Sequence, residues 1–152
     1  MSNDLDFIEE GLVSRAKRID ALRPLGFVAG KGRHFEHPQS PFFIEFPPGP
    51  LMVGHERVER VSERRTSAGM LRLLAPTDWV KDRLAAFFHW DDRQALEQAL
   101  LVAAAHRIDL AEVRRWARGE GQEPKFDLFH GRLQPKPRKQ APREKSRRKR
   151  RR

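Results

Sequence analysis

The pentapeptide Phe42-Phe43-Ile44-Glu45-Phe46 most limits what this chain can fold into. Aromatic and β-branched residues suit a pleated, half-buried surface, and the run Pro47-Pro48-Gly49-Pro50 then ends the strand, because prolines cannot donate to a ladder. The period of two puts Phe42, Ile44 and Phe46 on one face and Phe43 with Glu45 on the other. An acid in so apolar a strand reads either as the solvent face of an edge strand or as a functional carboxylate at the mouth of a sheet.

A second alternating stretch, Asn3-Asp4-Leu5-Asp6-Phe7, puts Asp4 and Asp6 on one face and Leu5 and Phe7 on the other. Two carboxylates so placed suit a hard divalent cation such as Mg2+ or Mn2+; the plain alternative is a solvated acidic terminus. Between the two strands, residues 9–22 read as an amphipathic helix with Leu12, Ala16, Ile19 and Leu22 at spacings of three and four. Pro24 and Gly26 stop it. Phe27-Val28-Ala29 and His34-Phe35-Glu36-His37 then flank the turn Gly30-Lys31-Gly32-Arg33, a hairpin pattern. Lys31 and Arg33 either contact phosphates, which glycines allow the backbone to approach, or simply decorate the turn.

Two further strands are expected at residues 57–64 and 70–74, separated by Thr66-Ser67-Ala68-Gly69. Pro76-Thr77-Asp78 opens a helix to about Trp90, with Thr77 as N-cap and Val80, Leu84, Phe87 and Phe88 inward. Asp91 or Asp92 caps the next helix, and Asp109 caps a third that ends at Gly119 and Gly121. Phe126, Leu128, Phe129 and Leu133 are expected to dock as one last turn, and Trp79, Trp90 and Trp116 to pack in the core. Asp78, Lys81, Asp82 and Arg83 form either a ligand-facing group or a solvated, ion-paired helix face. His34 and His37, beside Pro38 and without a cysteine in the chain, do not make a zinc pattern.

The formal charge of +10 is misleading as a property of the whole. Eleven of the 31 Lys and Arg but only one of the 21 acids lie in residues 136–152, so that stretch carries the entire excess and the remainder is neutral. Prolines and basic runs from Pro135 onward leave nothing to bury, and disorder is expected there. Its cations, among them Arg147, Arg148, Lys149, Arg150, Arg151 and Arg152, suit salt-dependent, sequence-independent contact with RNA or DNA. The absence of cysteine excludes disulfides and thiolate metal sites. No apolar run is long enough to span a bilayer, so no membrane contact and a cytoplasmic location are expected.

Several stretches together resemble a known group. Asp4-Leu5-Asp6, a helix, a hairpin and Ile44-Glu45-Phe46 are similar to the acidic core of the DNA polymerase β superfamily of nucleotidyltransferases. Residues 43–51 and 76–94, including Val80-Lys81-Asp82-Arg83-Leu84 and His89-Trp90-Asp91-Asp92-Arg93-Gln94, resemble a small bacterial and archaeal family of uncharacterised nucleotidyltransferase-like proteins. That family is related to the abortive-infection and minimal nucleotidyltransferases. The resemblance implies that Asp4, Asp6 and Glu45 hold Mg2+ or Mn2+, that Glu45 helps activate the acceptor hydroxyl, and that Lys81 and Arg83 contact nucleotide or acceptor. It also implies a Gly-Gly or Gly-Ser phosphate turn upstream of the paired acids, where this sequence has only Met1, Ser2 and Asn3. Little or no nucleotidyl transfer is therefore expected from the chain as it stands.

The expected fold class is α/β (α+β): a truncated nucleotidyltransferase-like mixed sheet over residues 1–75, a helical segment over 76–134 and a disordered basic tail over 135–152. The alternative function is a non-catalytic nucleic-acid-binding or partner-binding protein, such as one component of a toxin-antitoxin pair.

Overall fold

The computed structural model describes residues 4–9 and 11–133; the basic stretch with residues 147–152 lies outside the described residues, as do residues 1–3. The chain is an α+β protein. Its first sheet has the order β1 (Asp4–Asp6), β4 (Phe43–Glu45), β3 (His34–Glu36), β2 (Val28–Ala29). β1 runs parallel to β4, and the other pairs are antiparallel. A parallel pair needs a crossover, which α1 (Arg15–Leu22) and the β2–β3 hairpin provide. The register aligns Leu5, Ile44 and Phe35 on one face. There Phe35 and Ile44 meet Leu22 of α1 in a small core, with Ile19, Phe27 and Phe46 against it.

α1 is shorter than its periodicity suggests. It starts at Arg15, where Ser14 takes the N-cap and its hydroxyl accepts from the Lys17 amide at 3.3 Å. Glu9 and residues 11–13 lie outside the helix, and Leu12 stands fully exposed. Gly11 weakens the helix ahead of the cap, and Arg18 instead clasps Glu9 through two bonds of 2.7 Å.

After Pro50 the chain makes a tight hairpin absent from the sequence expectation, β5 (Met52–Val53) and β6 (Glu56–Arg57), turning at Gly54 with φ +58°. Arg57 is thereby consumed in β6, and the following ribbon begins at β7 (Val61–Thr66), paired with β8 (Gly69–Leu74). Val53 is buried among helices rather than in the first sheet. Phe46 packs with the first-sheet core, whereas Val53 and Val58, beyond the proline run, pack with the helical core.

Four helices follow: α2 (Pro76–Trp90), α3 (Arg93–Ala105), α4 (Leu110–Gly119) and α5 (Glu123–Leu133). Ala75, not Thr77, is the N-cap of α2, because Pro76 already occupies the first helical position. The Thr77 hydroxyl instead accepts from the Asp109 amide at 3.2 Å, tying the start of α2 to that of α4. Asp91 adopts φ 52° to end α2, and the Asp92 carboxylate caps α3 through the amides of Gln94 and Ala95. α5 is a full helix rather than one turn: Phe126 and Phe129 are buried, while Leu128 faces out. The Lys125 ammonium donates to the carbonyls of Phe87 at 3.0 Å and Phe88 at 2.6 Å, near the C-terminus of α2.

Trp116 lies at the centre of this core, fully buried and stacked on Phe88 at 5.4 Å. Its indole N–H donates to the Val53 carbonyl at 3.2 Å. Trp79 is half-buried, whereas Trp90 is 77% exposed and takes no part in the core. Among the described residues no helix is long and apolar enough to cross a membrane. Trp116→Ala is expected to cost about 3–5 kcal/mol, and Trp116→Phe roughly 1–3 kcal/mol because the Val53 carbonyl loses its donor. Urea denaturation of the two variants checks both values and their order.

Candidate functional site

The parallel register sets Asp6 beside Glu45, and the antiparallel register sets His34 on the other side of Glu45. Asp4 aligns with Phe43 one step earlier on the same face. These side chains occupy the face opposite the Leu22–Phe35–Ile44 core, as alternation requires. The His34 Nε2 lies 3.3 Å from the Glu45 carboxylate, and its ring leans on Phe43 at 5.4 Å. Glu45 keeps 29% side-chain exposure, so the acid is reachable but not freely solvated. Alternation within β3 does not mark His34 as a neighbour of Glu45; the pairing comes from the β3–β4 register.

α2 brings Asp82 and Arg83 within electrostatic range of Asp6. Arg83 donates through Nε to Asp82 at 2.9 Å and lies over the Trp79 ring at 5.6 Å. Burial raises the Asp6 carboxyl above its ordinary value first, and the negative charges of Asp4, Glu45 and Asp82 push it further up, against a smaller opposing pull from Arg83. Like charges on adjacent strands create a local demand for a cation.

Among the described residues no three His, Cys, Asp or Glu side chains converge closely enough to hold a metal ion. Asp4, Asp6 and Glu45 therefore do not form a protein-only cage. The donor set does fit an ion that takes one or two carboxylates and completes its shell with water and phosphate oxygens, as Mg2+ does.

The remaining sequence candidates divide. Lys31 and Arg33 are exposed in the turn leading into His34, at the end of the sheet where β1 and β4 finish. That turn is fastened by Arg15, whose guanidinium donates to the carbonyls of Gly32 and Gly30. Lys81 points elsewhere. Its side chain is only 4% exposed, and its ammonium contacts Glu112 at 2.5 Å, Asp78 at 3.0 Å and Glu56 at 3.8 Å. Burial lowers its pKa, but Glu112 and Asp78 more than reverse that, leaving it raised. Its charge is committed to the fold, where it fronts an open groove of about 670 Å3 with Arg115, itself bound to Glu56 at 2.5 Å.

A second buried ion is Glu120, with its side chain 2% exposed. Burial raises its carboxyl, but the His55 amide and ring, each at 2.8 Å, together with His89 at 3.4 Å, outweigh that and hold it low. This pins the tip of the β5–β6 hairpin to the end of α4. Compared with family models, with curated proteins and with solved structures, the chain has no match.

The raised Asp6 carboxyl means that repulsion is absent below the ordinary aspartate value of 3.8 and grows as pH rises through the folded value. Asp6→Asn is therefore expected to raise the melting temperature at pH 7 and to leave it unchanged near pH 3, a pattern that thermal melts at the two pH values will read. Lys81 has the opposite sign: its stabilisation is present below the ordinary lysine value and is lost as pH rises through the raised folded one. Lys81→Met is expected to cost about 3 kcal/mol at pH 7, the lower end for a broken buried pair because Glu56 and Glu112 stay partly solvated. Chemical denaturation at pH 7 checks this.

Proposed function

We propose that the Asp4–Asp6–Glu45 face is the divalent-cation and phosphate site of a nucleotidyltransferase-like domain. The observation that carries this reading is the parallel register of β1 on β4, which sets Asp6 and Glu45 side by side on the face away from the core. A second support is the approach of Arg83 to the same acid. Mg2+ or Mn2+, when bound, supplies neutralisation of the nucleotide phosphates, which is what phosphoryl and nucleotidyl transfer most needs.

The chain's own residues have separable tasks in this reading. Asp6 and Glu45 hold the cation, and Asp4 adds negative charge at its edge. Glu45, partly exposed and next to His34, is positioned to accept a proton from an acceptor hydroxyl. Arg83, oriented by Asp82 and the Trp79 ring, presents positive charge to phosphate oxygens. Lys31 and Arg33 border the same end of the sheet and extend that charge. Lys81 is assigned no ligand contact, since three carboxylates already neutralise it.

Mn2+ titration followed by paramagnetic broadening of side-chain carboxyl signals tests the site directly. Broadening centred on Asp6 and Glu45, tightened by a nucleoside triphosphate and weakened at least about tenfold by Asp6→Asn, is expected from the loss of one of two protein ligands. Uniform broadening over all surface acids, unchanged in Asp6→Asn, removes the proposal.

A further inference from the structure

Arginines in this fold are mostly paired: Arg18 with Glu9, Arg83 with Asp82, Arg115 with Glu56, Arg118 with Glu123 and Arg132 with Glu97. The run from β6 into β7 departs from that pattern. Arg57, Arg60, Arg64 and Arg65 are all exposed, and among the described residues none of them has an ion pair or hydrogen-bonded acid. The acids nearby do not compensate. Glu63 is answered by Arg72 at 3.4 Å and Glu56 by Arg115, which leaves Glu59. Lys17, Lys31, Arg33 and Arg107 are also exposed without an ion pair among the described residues, but they are scattered along the chain, whereas four unpaired arginines fall within residues 57–65.

That segment feeds a ribbon with unusual exposure. β7 and β8 form a two-stranded sheet of their own, and residues 63–73 are exposed without a break. The register places Arg64 opposite Leu71 and Arg65 opposite Met70, so each face of the ribbon carries one of the two arginines. Met70, Leu71 and Leu73 are also exposed. An isolated two-stranded ribbon is marginal in water, and this one offers cationic and aliphatic side chains on both faces.

We propose that the β7–β8 ribbon is a nucleic-acid-binding arm whose partner is a B-form DNA duplex, a function independent of the Asp6–Glu45 site. Charge complementarity selects a polyanion. The choice among polyanions follows from the ribbon's shape and composition. Residues 61–74 contain no aromatic side chain, so the stacking platforms that hold single strands are missing. The major groove of A-form RNA is too deep and narrow for side chains to read, whereas the B-form major groove admits a two-stranded ribbon. Leu71 and Leu73, which share the Arg64 face, meet base edges, the thymine methyl included, with Arg64 reaching a phosphate at the margin of that face, while Arg65, on the opposite face with Met70, reaches a phosphate of the groove wall. Arg57 and Arg60, at the ribbon's base, continue the track along the backbone.

The test uses the full-length chain with Arg147, Arg148, Arg150, Arg151 and Arg152 and Lys149 changed to Gln, which lowers the competing contribution of the basic stretch. Fluorescence anisotropy against a labelled DNA duplex is compared before and after adding R64Q/R65Q, over a range of salt. The expected result is weaker binding and a salt slope shallower by about 1.8, from about 0.9 per phosphate contact. Circular dichroism and melting temperature should not move, since both side chains are exposed and unpaired. Unchanged affinity and slope overturn the proposal. Equal or tighter binding of a single-stranded or duplex RNA of the same length, lost in R64Q/R65Q, overturns the duplex DNA assignment. Sedimentation showing a dimer that Leu71→Ser with Leu73→Ser dissociates, without DNA binding, makes the ribbon a contact between copies and also overturns it.

Discussion

Val53 joins the two parts of this molecule. Its side chain is buried in the helical core, while its carbonyl accepts the indole N–H of Trp116. The hairpin that carries it is short, so its position depends on what grips it from the other side. Trp116 grips the backbone, and Glu120, four residues on, grips the His55 amide and ring at the turn. One turn of α4 therefore fixes β5 and the turn of the hairpin. The first sheet lies upstream of this anchor, so the approach of α2 to Asp6 depends on it. An unpaired buried carbonyl costs more than the bond contributes when made, which makes this contact a constraint on geometry as much as a source of stability.

The acid face and the helical core handle charge in opposite ways. Around Lys81 every buried charge has a near partner, and the network is closed. Around Asp6 the charges of Asp4, Glu45 and Asp82 add to burial in raising the carboxyl above its ordinary value, and Arg83 opposes them only in part. A fold selected only for stability would relieve that repulsion with one amide. That repulsion sits on an exposed sheet face beside a partly exposed acid, which is the feature the proposed cation site rests on. The same comparison explains why Lys81 and Arg83, two residues apart on one helix, have different prospects as ligand contacts: a rotation of about 200° turns one into the closed network and the other toward the open one.

Much of the architecture was legible in the chain because its strongest signals are local. The aromatic strand at residues 43–45, the glycine turn before His34, the Asp92 and Asp109 caps and the apolar stripe of α2 each declare themselves within a few residues. What escaped depends on distance. The β5–β6 hairpin is two residues per strand and is held by Trp116 and Glu120, more than sixty positions away, so no local pattern marks it. Thr77 looks like a cap until Pro76 takes the first position and Asp109 arrives from 32 residues on to claim its hydroxyl. Trp90 fits the helical stripe but falls where α2 ends and no element covers it. For the site, the shared face of Asp4, Asp6 and Glu45 follows from alternation, whereas the pairing of Glu45 with His34 needed the register.

The distribution of arginines carries the argument past what net charge tells. Residues outside 136–152 sum to zero, which would suggest a body indifferent to polyanions. Neutrality of the sum does not make the surface neutral, because an ion pair cancels its own field at short range while an unpaired charge projects to about a Debye length. Pairing has removed the fields of Arg18, Arg115, Arg118 and Arg132 and left those of Arg57, Arg60, Arg64 and Arg65. Lys17, Lys31, Arg33 and Arg107 are unpaired too among the described residues, but four unpaired arginines lie together on and beside the ribbon, whose residues 63–73 are exposed and open to an extended partner. A polyanion approaching this protein is therefore steered by a few unpaired side chains rather than by the formal total.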